Sequence, residues 1–270
     1  MKNIIIPNTD FKCSKFIFGT GSLLHILNSK KRIKILEDAV DKGFTHFDTS
    51  PYYGYGLAEK TLGNFLKNNP DITVTTKVAL YPPLNKFNDH ILEMLFRKTF
   101  GKLIPSLSNP IIDFTIIKAN QSLEKSLKRL GRDCIDILFI HEPIVELINI
   151  DEWKNWLEKL VKDGKIRYYG LSSLNSDRLE KFINKETKLF NILQVRDSID
   201  LNEADFITKN NLQLQITYGY MSSLKKRHPN KTFSEISSKI LKRNPNGAIV
   251  VSTTSHKNLN EIANLSDIND

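Results

Sequence analysis

The feature that most limits what this 270-residue chain can fold into is a rhythm: eight short apolar runs, each followed by a segment of helical periodicity. The runs fall at residues 16–19, 44–47, 72–78, 135–140, 166–172, 190–195, 212–217 and 248–252, and they are rich in β-branched and aromatic residues, as strands are. The segments between them read as helices at 30–42 (Ile33, Ile35, Leu36 and Val40 forming the buried stripe), 57–67, 120–130, 151–163, 176–183, 204–209, 233–243 and 259–265. Strict alternation requires parallel strands joined by crossover helices. Eight such units predict an α/β protein with the (β/α)8 TIM-barrel architecture, one domain over residues 1–270.

The competing arrangement is a doubly wound open sheet, but its dinucleotide fingerprint is missing. Gly19-Thr20-Gly21 would need a further glycine at position 24, where Leu24 stands. No phosphate-loop Gly-Lys-Ser/Thr occurs either. One stretch, about 80–117, interrupts the rhythm with Pro82, Pro83, Pro105 and Pro110 and a helical patch near 90–99. A connection of that length is read as an insertion or lid. The chain stops soon after its last helix, so a long C-terminal loop over a pocket is not expected. The insertion then either shapes the substrate site, or leaves it open while Leu92, Leu95 and Phe96 pack a helix on the barrel.

Barrel enzymes place reactive groups at the C-terminal ends of their strands. Here those ends carry Asp48 and Tyr53 after strand two, Lys77 on strand three and His141 after strand four. Neighbouring strands let the four side chains converge. A tyrosine has an ordinary pKa near 10 and is a poor acid at neutral pH. A lysine beside it would stabilise the phenolate and lower that pKa, Asp48 would hold the lysine, and His141 would orient a carbonyl. Singly, each residue has a plainer explanation. Asp48 could cap a helix, Tyr53 could pack on Tyr52 or Tyr55, and His141 could bond backbone. Lys77 is harder to dismiss, because a lysine pointing into a barrel needs a partner. No His/Asp cluster or H-E-x-x-H surrounds His141, so no metal site is expected.

The stretch Gly43 to Gly56 (G-x-x-x-F-D-T-S-x-x-Y-G), Thr76-Lys77-Val78 and Asp136-Ile137-Leu138-Phe139-Ile140-His141 resemble the aldo-keto reductases over nearly the whole chain. The resemblance implies catalytic roles for Asp48, Tyr53, Lys77 and His141. It also implies NADP(H) bound without a Rossmann domain, with NAD possible, and reversible carbonyl/alcohol interconversion with Tyr53 as general acid or base. The implied cofactor contacts are Gly19, Thr20, Asp48, Ser172, Ser173, Gln194, Tyr218, Ser252, Thr253, Lys257, Asn258 and Glu261. Three departures stand out. Ser173 replaces the family's Asn, Thr217-Tyr218-Gly219-Tyr220 replaces Ser-Pro-Leu and leaves Tyr218 to stack on the nicotinamide, and Asn258 falls where the family has Arg. The rival readings are a nucleotide-binding regulatory barrel with little turnover, and an isomerase or lyase using Lys77 as a Schiff-base amine.

Composition restricts partners rather than chemistry. Cys13 and Cys134 lie far apart and form no C-x-x-C pair, which fits a reducing compartment and hence a cytoplasmic protein. No apolar run is long enough for a signal peptide or a membrane span. The net charge of +9 comes from basic residues scattered in small groups, so neither nucleic acid nor membrane is expected as a partner. The partner that the resemblance implies is a small carbonyl compound or sugar; the oligomeric state is not set by the sequence.

Overall fold

The computed structural model describes residues 1–83, 92, 109–185, 189–227 and 230–265. A hairpin of two antiparallel strands, β1 (Asn3–Ile5) and β2 (Lys12–Ser14), comes first. Then follow β3 (Phe16–Gly19), β4 (His46–Asp48), β5 (Thr73–Val78), β6 (Leu80–Tyr81), β7 (Ile111–Ile112), β8 (Ile135–His141), β9 (Ile166–Ser173), β10 (Ile192–Arg196), β11 (Ile216–Tyr218) and β12 (Ala248–Val251). Eight of these, β3, β4, β5, β8, β9, β10, β11 and β12, close into a barrel, each parallel to its neighbours, with β12 pairing back to β3. All eight sequence-predicted strands are present in the barrel.

Two apolar layers hold it. The outer one lies between strands and helices and includes Phe18, Phe47, Leu62, Leu123, Leu138, Trp153 and Phe182. The inner one is smaller: Ile17, Ile137, Phe139, Ile192, Ile216 and Ala248 fill the bore, and Ile6, Phe11 and Cys13 of the hairpin region plug its N-terminal end. This hairpin is absent from the sequence reading, because two three-residue strands around Pro7-Asn8 leave too short a pattern to see. Glycine is required at position 170 on β9, where a Cβ would stand 1.9 Å from the carbonyl oxygen of Ile192.

Helices begin where a side chain can accept the first free N–H groups. Asn28, Asn149 and Asn175 cap Ser29–Asp41, Ile150–Lys162 and Ser176–Asn184. A Thr232–Glu235 capping box opens Phe233–Arg243. Capping also explains two shifted starts. Ile116–Leu130 begins four residues before the expected Asn120 because Thr115 is its cap, and His256–Leu265 begins three before the expected Leu259, where Ser255 Oγ accepts the Asn258 N–H at 3.4 Å. Helix Tyr220–Arg227 was not anticipated, since its sequence lacks a clear apolar stripe. β6 and β7 pair antiparallel at the base of the insertion. The helical patch expected near 90–99 lies outside the described residues, Leu92 apart.

The strand-two turn is held from behind by a buried charge. Glu59, at the start of helix Leu57–Leu66, receives the Thr76 hydroxyl at 2.6 Å and pairs with Arg129 at 2.6 Å. That ties β5, which carries Lys77, to two helices. Among the described residues no helix is long and apolar enough to cross a membrane.

Candidate active site

Parallel register sets the geometry. Asp48 is level with Thr75, so Lys77 lies two residues further along β5; Lys77 is level with Phe139, so His141 lies two further along β8. Steps of two keep all three side chains on the barrel's inner face. Lys77, 1% exposed, donates to Asp48 Oδ1 at 2.7 Å and to the Thr49 carbonyl at 2.9 Å. Asp48 Oδ2 accepts the Gln194 amide at 2.8 Å, and Gln194 Oε1 accepts the Ser172 hydroxyl at 2.6 Å. A continuous chain of hydrogen bonds thus crosses the bore from β5 to β9.

Tyr53 reaches this chain from the turn after β4. That turn is left-handed at Gly54 (φ +60°), Tyr55 (φ +58°) and Gly56 (φ +91°), which brings the Tyr53 ring back over the barrel mouth. A non-glycine residue held so costs about 1–3 kcal/mol. The Lys77 ammonium lies 5.1 Å from the centre of the Tyr53 ring, and the His141 ring packs edge-on against it at 6.4 Å.

The electrostatics correct one expectation. Lys77 does pull the Tyr53 phenol downward, but burial is the larger influence, and Asp48 and Glu142 add to it; the pKa ends above the ordinary tyrosine value. The group is therefore a phenol at neutral pH. For Lys77, burial pulls downward most, yet Asp48 and Tyr53 outweigh it and its pKa is raised. His141 is held well below its ordinary value by burial and then by Lys77, so its ring is neutral. Its Nδ1 is buried without a hydrogen-bond partner. One layer deeper, His46 bonds the hydroxyls of Thr73 and Thr75 at 2.8 and 2.7 Å, and burial drives its pKa down to about 3.

A cavity of about 460 Å³ opens above these groups. Of the sequence-predicted residues, Gly19, Asp48, Tyr53, His141, Ser172, Gln194, Tyr218 and Ser252 line it, with Lys77 immediately beneath. Others are turned elsewhere. Thr20 is buried and bonds the Asp48 carbonyl. Ser173 gives its hydroxyl to Glu142 at 2.8 Å. Thr253, Lys257, Asn258 and Glu261 cluster around the start of helix His256–Leu265, outside the lining, where Lys257 is 84% exposed and 4.0 Å from Glu261. Ser252 joins the end of β12 to the loop after β3, donating to the Gly19 carbonyl at 2.8 Å and lying 2.7 Å from the Ser22 hydroxyl.

Sequence reasoning missed Ser22, Tyr52, Glu142, Leu174, Met221 and Ser222 in the wall. Glu142 had a local signal: it stands between His141 and Pro143 at a strand end, and takes φ +52°. Among the described residues no three His, Cys, Asp or Glu side chains are grouped to hold a metal ion.

The sequence profile of the Aldo/keto reductase family matches residues 15–203. D-threo-aldose 1-dehydrogenase from Pseudomonas sp is 31% identical over 181 residues, 62% of this chain and 51% of that protein. L-galactose dehydrogenase from Arabidopsis thaliana is 30% identical over 183 residues, 64% of this chain and 48% of its own length. The chain thus spans about half the length of the curated relatives it matches. Among solved structures, an aldo-keto reductase from Bacillus halodurans aligns with a TM-score of 0.73 at 20% identity, covering 98% of this chain and 90% of that one. A glycerol dehydrogenase from Gluconobacter oxydans aligns with a TM-score of 0.72 at 20% identity, covering 97% and 89%. At such identities the likeness concerns the barrel. The profile match ends before β11 and β12.

Proposed function

We propose that this chain, which belongs to the aldo/keto reductase family, is a nicotinamide-dependent oxidoreductase that interconverts a carbonyl and an alcohol. The observation that carries the proposal is the meeting of a buried phenol, a buried Lys77–Asp48 pair at 2.7 Å and a neutral imidazole at the floor of one cavity. Such a set suits proton transfer to a carbonyl oxygen.

The residues present fit a nicotinamide nucleotide. Tyr218 would stack on the ring. Ser172 and Gln194 would face the carboxamide, and Gly19, Ser252 and the start of helix His256–Leu265 would receive the phosphates, with Lys257 as the cation there. Thr20, Ser173, Thr253, Asn258 and Glu261 would support those contacts. We favour NADP(H), with NAD(H) as the alternative because Asn258 replaces an arginine. When bound, the reduced nicotinamide supplies the hydride that the carbonyl carbon receives.

The chain's own side chains do the rest. Tyr53, protonated at neutral pH, gives its proton to the carbonyl oxygen, and Lys77 stabilises the phenolate left behind. Asp48 holds Lys77 in place. The neutral His141 ring orients the carbonyl by a hydrogen bond. In the reverse direction the Tyr53 phenolate takes the alcohol proton. We take the substrate to be a small aldehyde, ketone or sugar, which the names of the Pseudomonas and Arabidopsis relatives support, and the setting to be cytoplasmic. A regulatory barrel with little turnover is the second reading, favoured by the engagement of Ser173 and of both ends of the Gln194 amide within the protein.

The test is a fluorescence titration with NADPH and NADH, followed by turnover assays on simple aldehydes and aldoses. Saturable nucleotide binding with turnover supports the proposal. Binding without turnover favours the regulatory barrel, and binding of neither nucleotide refutes both.

A further inference from the structure

The cavity wall holds a second carboxylate besides Asp48. Glu142 follows His141 at the end of β8, and its left-handed backbone (φ +52°) swings the side chain toward the end of β9. There Oε1 accepts the Leu174 N–H at 2.7 Å and Oε2 accepts the Ser173 hydroxyl at 2.8 Å. Arg178 Nη1 stands 3.3 Å from Oε2 and 3.3 Å from the Glu142 carbonyl oxygen. The Glu142 side chain is 13% exposed, whereas Arg178 is 34% exposed and lies outside the lining.

The charge balance is therefore uneven. Asp48 is neutralised at 2.7 Å by Lys77 in the bore, but Glu142 has its cation on the solvent side, and no lysine or arginine lines the cavity among the described residues. A wall carboxylate whose cation stands behind it, on the solvent side, faces the cavity with its negative end and favours a cationic occupant. A nicotinamide ring is positively charged when oxidised and neutral when reduced. We propose that Glu142 biases this cavity toward the oxidised form of the nucleotide, through Coulomb attraction to the charged ring. The field of this carboxylate reaches the neighbouring aromatic groups. The Tyr218 hydroxyl is raised well above its ordinary value by burial first and by Glu142 second, and Glu142 also contributes at Tyr53. The inference rests on the nicotinamide reading above; Ser173 matters to it as the donor that fixes the carboxylate.

The test uses the whole chain without carbonyl substrate. Dissociation constants for NADP+ and NADPH, and in parallel NAD+ and NADH, are measured by calorimetry for wild type, Glu142→Gln and Arg178→Gln. Glu142→Gln is expected to weaken the oxidised nucleotide roughly fivefold to tenfold relative to the reduced one, the effect of one partly screened charge several ångströms away. Arg178→Gln, which removes the compensating cation, should move the ratio the opposite way. An unchanged ratio in Glu142→Gln overturns the inference, as does equal weakening of both forms in both variants, the signature of a purely structural role. If wild type binds none of the four nucleotides, the functional reading itself fails.

Discussion

Replacing Asp48 by Asn probes the pair on which the site depends. Each Asp48 oxygen takes its own donor, Oδ1 the Lys77 ammonium at 2.7 Å and Oδ2 the Gln194 amide at 2.8 Å. In Asp48→Asn one oxygen becomes an NH2 group facing a donor, and the ammonium loses its counter-charge while 1% exposed. Breaking a buried pair costs about 3–5 kcal/mol. The Thr49 carbonyl still accepts from Lys77 at 2.9 Å, so we expect the lower end, about 3 kcal/mol. For a chain of this size that lowers Tm by about 6–12 °C.

The pH dependence gives the sign. With Asp48 present, Lys77 lies above its ordinary 10.5, so its contribution is complete below that pH and is lost only as pH rises past it. With the carboxylate gone, burial dominates and the folded pKa falls below 10.5. The variant then gains stability as pH rises toward that value. Urea denaturation at pH 7 and pH 9.5 reads both effects: a deficit of about 3 kcal/mol at pH 7 that shrinks at pH 9.5. A deficit below about 0.5 kcal/mol, or one that grows with pH, refutes the reasoning.

Other perturbations test different links. Tyr53→Phe should lower kcat about 10²–10⁴-fold while nucleotide affinity stays within about threefold, because only the transferred proton is removed; full turnover in steady-state kinetics would sink its assignment as the acid. Gly170→Ala places a methyl 1.9 Å from the Ile192 carbonyl oxygen and 2.9 Å from Phe139, and should cost about 3 kcal/mol or more by thermal unfolding. An unaltered Tm would contradict the barrel packing. Lys15 is buried and donates to the carbonyls of Asn244, Pro245 and Gly247. Burial lowers its pKa from 10.5 to about 8, so the contribution of Lys15 to stability rises between pH 8 and 10.5, against the opposite trend of the buried Cys13 thiol, which is pushed up to about 12. Lys15→Met should lack that slope in denaturation curves taken across the same window, and an identical slope would exclude Lys15 as its source.

Much of the site was legible because it follows local rules. Asp48, Lys77 and His141 lie at strand ends, and strand periodicity places them on one face once the strands are parallel. Tyr53 was marked by its position in a Pro/Gly-rich turn. Glu142 was overlooked because its meaning depends on an unusual φ and on Ser173 and Leu174, some thirty residues away. The direction of the Tyr53 pKa was misjudged for a related reason: sequence shows that a lysine is near, but not how deeply the phenol is buried.

What the sequence determined by itself was the alternation of strands and helices, and with it the parallel barrel, since apolar period and caps are properties of neighbouring residues. Tertiary structure alone decided how the charges were shared. Gln194 meets Asp48 across 146 positions of chain, and Lys15 meets Gly247 across 232. Such contacts exist only once the barrel closes, because closure brings distant strands within hydrogen-bonding distance. The same closure removes the water that would otherwise set each group's pKa.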